Sequence, residues 1–221
     1  MDTALSGGHR VLVYSKLVET GLSKAKITKA KQVLQMKLES IFSDLPTLET
    51  DRTILRKIRL EDAQDMFAYC SDDDVAKYTT WYKHLSIEDT KSFINHLLGR
   101  YELAKVSPWG IQDKLTGRLI GTCGFVQWNS EHASAELGYA LSKTYWNQGY
   151  MTEIVKKIID FGFTATGLIR IEARCLVDNI GSAMVMEKSG MRLEGVFRKV
   201  VYTKGIHQDL KVYSIIKPEL L

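Results

Sequence analysis

Residues 133–163 read ASAELGYALSKTYWNQGYMTEIVKKIIDFGF, and the fold turns on how they divide. The stretch 133–141 alternates in the manner of a strand, and from Ile154 the apolar residues recur at helical spacing to Phe163. Shortly after comes LIRIEARCLV (168–177), a second strand. There Ile169, Ile171, Ala173 and Cys175 share one face, and Arg170, Glu172 and Arg174 share the other. A strand, a crossover helix and a second strand make the two strands parallel, so this unit is the centre of the fold.

The connection inside it, YWNQGYMTE (145–153), has two readings. It is a plain strand-to-helix turn, or an anion cradle. The first turn of a helix leaves about four amides unpaired, and its dipole places about half a positive charge there. Gly149 lets an anion approach the backbone. No Gly-Lys-Ser/Thr follows and only one glycine is present, so neither a Walker loop nor a dinucleotide fingerprint is at hand. Upstream, Glu136 shares a strand face with Gly138 and Ala140. Beside such small residues the carboxylate has room for a ligand, or it pairs across strands with Arg170 or Arg174.

Outward from this unit, TILRKIR (53–59) reads as a strand and LEDAQDMFAYC (60–70) as a helix. SDDD (71–74) is a solvated turn or N-cap. After the loop TTWYKHL (79–85), the segment 86–104 is a helix, with Ser86 and Asp89 spaced as a capping box. Strands at 109–113 and 118–128 flank the turn KLTG and form a hairpin, and 133–141 extends the meander. Residues 179–191 form a short helix with Asn179 as N-cap and Gly190 as C-cap. Strands 192–205 and 207–217 complete the order.

The 221-residue chain, 45% hydrophobic and 25% charged, suits one substantial soluble core with a small appendage. The early apolar run VLVY (11–14) is soon broken by Lys16, so neither a membrane span nor a signal segment is expected. Cys70, Cys123 and Cys175 are odd in number and widely spaced, which points to a reducing, cytoplasmic compartment and to core packing. The five histidines show no ligand spacing, so no metal is expected. Residues 1–44 carry seven Lys/Arg against four Asp/Glu, and the remainder 23 against 22. A nearly neutral body argues against nucleic acid as a direct partner. The division is therefore 1–46, an extension with a basic amphipathic helix over 23–44, and 47–221, the main domain.

ELGYALSKTYWNQGYMTEIVKKIIDFGF (136–163), followed by RIEARCLVDNIGSAMVMEKSGM (170–191), resembles the GNAT superfamily of acetyl-CoA-dependent N-acetyltransferases. Within it the chain is similar to the branch that acetylates the N-termini of ribosomal proteins. LETDRTILRKIRLEDAQDMF (48–67) and KGIHQDLKVYSII (204–216) fit the same branch. The resemblance implies an α/β (α+β) fold: a mostly antiparallel sheet, flanked by helices, whose one central parallel pair splays around acetyl-CoA. It implies that the main chain of Tyr139, Ala140 and Leu141 meets the pantetheine arm. Trp146, Asn147, Gln148, Gly149, Tyr150, Met151 and Thr152 would form the pyrophosphate turn, with the amides from Asn147 to Thr152 holding the anion. Asn179 and Ser182 would stand near the pantetheine and the sulfur.

The implied reaction is direct attack of a neutral amine on the thioester. Glu136 is expected as the base, Ser182 as the group assisting the thiolate, and an amide near Tyr139 as the oxyanion donor. Trp81 and Tyr82 either line the acceptor groove or are aromatics of an ordinary loop. Met186 stands where many superfamily members carry a tyrosine, and Met151 and Asn147 replace smaller residues. The expected partners are acetyl-CoA and an amine acceptor, a protein N-terminus before a polyamine or an antibiotic, with a homodimer left open. A module that binds acetyl-CoA without turnover is the competing non-enzymatic reading.

Overall fold

The computed structural model describes residues 40–218, so residues 23–39 of the helix expected over 23–44 and most of the 1–46 extension lie outside the described residues, while 40–43 are helical. The strands are β1 (Leu48–Glu49), β2 (Thr53–Arg56), β3 (Trp109–Asp113), β4 (Leu119–Asn129), β5 (Ser134–Leu141), β6 (Arg170–Leu176), β7 (Arg192–Thr203) and β8 (Ile206–Ile216). They form one eight-stranded sheet in the order β1-β2-β3-β4-β5-β6-β8-β7. Only β5 and β6 run parallel among its neighbours. The β3–β4 connection closes because the Asp113 carboxylate accepts from the amide and hydroxyl of Thr116, at 3.0 and 2.7 Å. Gly117 then takes a φ of 71°, which glycine adopts without strain.

The helices are α1 (Ala63–Cys70), α2 (Asp73–Lys77), α3 (Ile87–Glu102), α4 (Tyr150–Ala165) and α5 (Ile180–Lys188). Their starts follow local chemistry. Asp72 caps α2 by accepting from the amides of Asp74 and Val75. Ser86 and Asp89 form the reciprocal capping box of α3. α4 buries Ile154, Val155 and Ile158 against the sheet. Its closest approach is at Gly162, where an added Cβ would come within 2.8 Å of the Ile171 side chain.

The expected strand 53–59 stops at Arg56. There the guanidinium turns to the Asp62 carboxylate, at 2.7 and 2.8 Å, and the chain peels away from the sheet. β6 begins at Arg170, and Ile169, expected on the core face, is 43% exposed. Its amide and carbonyl are spent on Ala133 and Lys217 at the mouth of the strand. The short elements β1 and α2 carry too few residues for periodicity to reveal them.

Candidate functional site

The centre of the sheet is incomplete. Parallel pairing of β5 with β6 ends at Leu137 opposite Ala173. On their outer sides, β5 stays paired with β4 as far as Leu141, and β6 with β8 as far as Leu176. The two strands therefore diverge over 138–141 and 174–176. The Ser142 amide donates to Ile120 O at 2.8 Å, which fixes the phase of the β4–β5 ladder. Peptide groups alternate along such a ladder, so those of Tyr139 and Leu141 face the gap and those of Ala140 face β4. In agreement, Ala140 O lies only 2.3 Å from where a Cβ on Gly121 would stand. Trp146 is a structural part of this edge: its indole Nε1 donates to Leu141 O at 2.8 Å.

The gap opens towards the N-terminus of α4. The chain reaches it through a 3-10 turn, Lys143–Tyr145, then passes Asn147 at φ 60° and Gly149 at φ 79°. Asparagine is among the few side chains that tolerate this left-handed region, which is why it can stand in place of a glycine. Met151 is buried in the core, so its bulk does not fall on the turn. Gly149 occupies the N-cap and offers no capping side chain. Among the described residues, the amides from Asn147 to Thr152 have no hydrogen-bond acceptor. A cradle of unmet donors at a helix N-terminus fits a diphosphate.

Arg52 braces this turn, and no local pattern in the sequence marks it. Its guanidinium donates to Gln148 O at 2.9 Å and to Glu153 Oε2 at 2.7 Å, and lies 4.0 Å from the centre of the Tyr150 ring. The Gln148 side chain donates to Thr144 O at 2.7 Å.

Glu136 sits just before the divergence, opposite Glu172 on β6. The cross-strand pairing considered for it exists in loose form. Arg174 Nε is 3.4 Å from Glu136 Oε2, while its Nη2 donates to Glu172 Oε1 at a closer 2.8 Å. That contact is too poorly aligned for a hydrogen bond, and Glu136 Oε2 is buried with no hydrogen-bond partner. Burial raises the carboxyl above its ordinary range, the Arg174 charge opposes this, and Glu172 adds to it. Arg170 completes the row by bonding Glu172 and Glu194.

On the other face, Asn179 accepts from the Ser182 amide at 3.1 Å and so caps α5. The Ser182 hydroxyl lies 2.8 Å from the Tyr139 phenol. Met186, four residues further along α5, is fully buried. Cys70, Cys123 and Cys175 are all free and buried. Among the described residues there is no cluster of metal-ligating side chains, and no helix is long and apolar enough to cross a membrane.

Trp81 and Tyr82 stand on the loop after α2. The loop and the end of α2 are fastened across to the β7–β8 turn: Thr203 donates to Thr80 O at 3.3 Å, and the Lys204 ammonium donates to Ala76 O in α2. Trp81 packs on His84 at 5.8 Å between ring centres, and Tyr82 is 70% exposed. Trp81 and Tyr82 thus belong to the loop tied to the hairpin, while Glu136, the turn and Ser182 lie along the diverging strands and the helices that follow them.

Residues 52–192 match the family model described as "Acetyltransferase (GNAT) domain". The chain is 40% identical over 173 residues to the uncharacterized N-acetyltransferase YoaA of Bacillus subtilis, covering 78% of this chain and 98% of that one. It is 27% identical over 133 residues to the ribosomal-protein-serine acetyltransferase of Escherichia coli, covering 59% and 72%. Among solved structures it resembles a GNAT-family acetyltransferase from Bacillus anthracis, with a TM-score of 0.69 and 30% identity over 77% of this chain and 98% of that one.

Proposed function

The chain belongs to the GNAT acetyltransferase family, and from that premise we infer that it moves an acetyl group from acetyl-CoA to the α-amine of a protein or peptide N-terminus. The observation that carries this reading is the gap between β5 and β6 opening onto the amide cradle at 147–152. The peptide groups of Tyr139 and the amide of Leu141, turned into the gap, suit the amides of a pantetheine arm, and the cradle suits its diphosphate. Bound there, acetyl-CoA supplies a thioester open to attack by a neutral amine.

Glu136 accepts the proton that the attacking amine gives up, directly or through one water. A carboxyl raised by burial is better matched to that task than an ordinary one. An α-amine, with a pKa of about 7.7–8.0, also yields its proton far more readily than a lysine side chain at about 10.4. The Tyr139 amide, turned into the gap, is the oxyanion donor of this reading. The resemblance of the E. coli relative, named for a ribosomal-protein serine, supports a protein N-terminus as acceptor.

The test is release of free thiol from acetyl-CoA in the presence of N-terminal peptides, polyamines and aminoglycosides. Peptides with a free α-amine are expected to turn over, and the same peptides blocked at the N-terminus are not. Turnover of polyamines or aminoglycosides alone would replace the acceptor. Glu136→Gln is expected to lower kcat about a hundredfold, the usual worth of a positioned base. Acetyl-CoA affinity, read by calorimetry, should be retained. An unchanged rate across pH would remove Glu136 as the base.

A further inference from the structure

The Ser182 hydroxyl is held by one arm of the open sheet and stands beside the other. From β5 the Tyr139 phenol lies 2.8 Å from Ser182 Oγ and 3.1 Å from Ser182 O. From β6, Cys175 stands near enough that burial raises its thiol while the neighbouring Ser182 hydroxyl lowers it. Beyond the last pair, Leu137 with Ala173, Tyr139 and Cys175 occupy equivalent places two residues further along each strand. Ser182 is the third residue of α5, held there by its amide bond to Asn179. The geometry points to Tyr139 as a positioning residue that aims the Ser182 hydroxyl at the sulfur of coenzyme A, so that the serine proton stabilises the departing thiolate. This rests on the acetyltransferase reading above.

The protons available to the pair decide what the serine can offer a ligand. A tyrosine hydroxyl has a single proton and a backbone carbonyl can only accept. Two arrangements are therefore open to the pair. With the phenol donating to Ser182 O, the serine proton is turned onto the phenolic oxygen and none is left for a ligand. With the phenol donating to Ser182 Oγ, the serine proton is released towards the gap. Negative charge on a sulfur in the gap favours the second arrangement.

When the carbon–sulfur bond breaks, its electron pair stays on sulfur, and a donor already in place stabilises that charge. The proton lost by the amine goes to Glu136, so no proton need leave the phenol. Burial holds the phenol well above its ordinary range and keeps it protonated as this donor. Without the phenol, a serine in the first turn of a helix tends to bond a neighbouring backbone group instead.

The experiment compares wild type, Tyr139→Phe, Ser182→Ala and the double variant. Tyr139→Phe is expected to lower kcat about tenfold, somewhat less than loss of a whole charge-stabilising donor, with KM for acetyl-CoA within about twofold. In the Ser182→Ala background it should cost nothing further. A second readout needs no turnover: free coenzyme A is bound and its thiol titrated by thiolate absorbance. The bound thiol should ionise at lower pH in wild type than in Tyr139→Phe. Additive losses in kcat, or an identical thiol titration in the two proteins, overturn the inference while leaving acetyl transfer intact. Failure of the wild type to bind coenzyme A removes the acetyltransferase reading and this inference with it.

Discussion

At the level of single residues, the site turns on a carboxylate that is neither free nor well paired. Glu136 keeps one oxygen without a hydrogen bond while Arg174 divides its charge between Glu136 and Glu172. Arg174 lowers the Glu136 pKa against the raising effect of burial. Removing it in Arg174→Met therefore raises the pKa further. The base form is lost as pH falls through that pKa, so the acid limb of the kcat/KM profile should move to higher pH. If the limb stays in place, the group titrating there is not Glu136. None of this was open to the sequence alone. Alternation placed Glu136 beside Gly138 and Ala140, and it left the salt bridge and the open site as equal alternatives. The structure shows a partial form of both, because Arg174 reaches two carboxylates and aligns well with only one.

Among the elements, the features that local chemistry decides were legible. The capping box at Ser86 and the N-cap at Asn179 rest on residues three positions apart, and the parallel pair around α4 follows from the strand–helix–strand order of one continuous stretch. What escaped the sequence depends on distant partners. Arg52 braces the turn from 101 residues away, and the phenol of Tyr139 meets Ser182 across 43 residues. An added Cβ at Gly149 meets only Arg52 Nη2, at an ordinary 3.6 Å, so the cost of Gly149→Ala comes from its left-handed backbone. That cost is about 1–2 kcal/mol. It should appear as a lower denaturation midpoint together with weaker acetyl-CoA binding by calorimetry. Arg52→Ala should weaken binding as well, since it frees Gln148 O and one of the two Glu153 oxygens together. A variant that bound acetyl-CoA as tightly as wild type would show that the turn needs no brace.

Over the whole molecule, one eight-stranded sheet is divided by its own central gap, with the halves joined by few strand pairs. The far edge is tied back to the helical side by Lys204 and Thr203. A ligand lying in the gap bonds to the arms on both sides and should strengthen the sheet as a unit. At a hundredfold excess over Kd, acetyl-CoA adds about 2.7 kcal/mol. For a domain of this size that corresponds to roughly 5–10 °C in Tm. Coenzyme A should act similarly, and adenosine alone much less. Equal shifts from all three would place the binding energy outside the gap.

The open ladder also has a consequence for how the molecule exchanges hydrogen with its solvent. Backbone amides in the middle of a large sheet normally exchange only on rare opening. Here the amides of Tyr139 and Leu141 face the gap, and their neighbours at Leu137 and Ala173 lie in the paired part of the sheet. In deuterated water the free protein should thus carry an island of fast exchange at its geometric centre, bordered by some of its slowest amides. Ligand binding would close that island and the one at 147–152 in a single step.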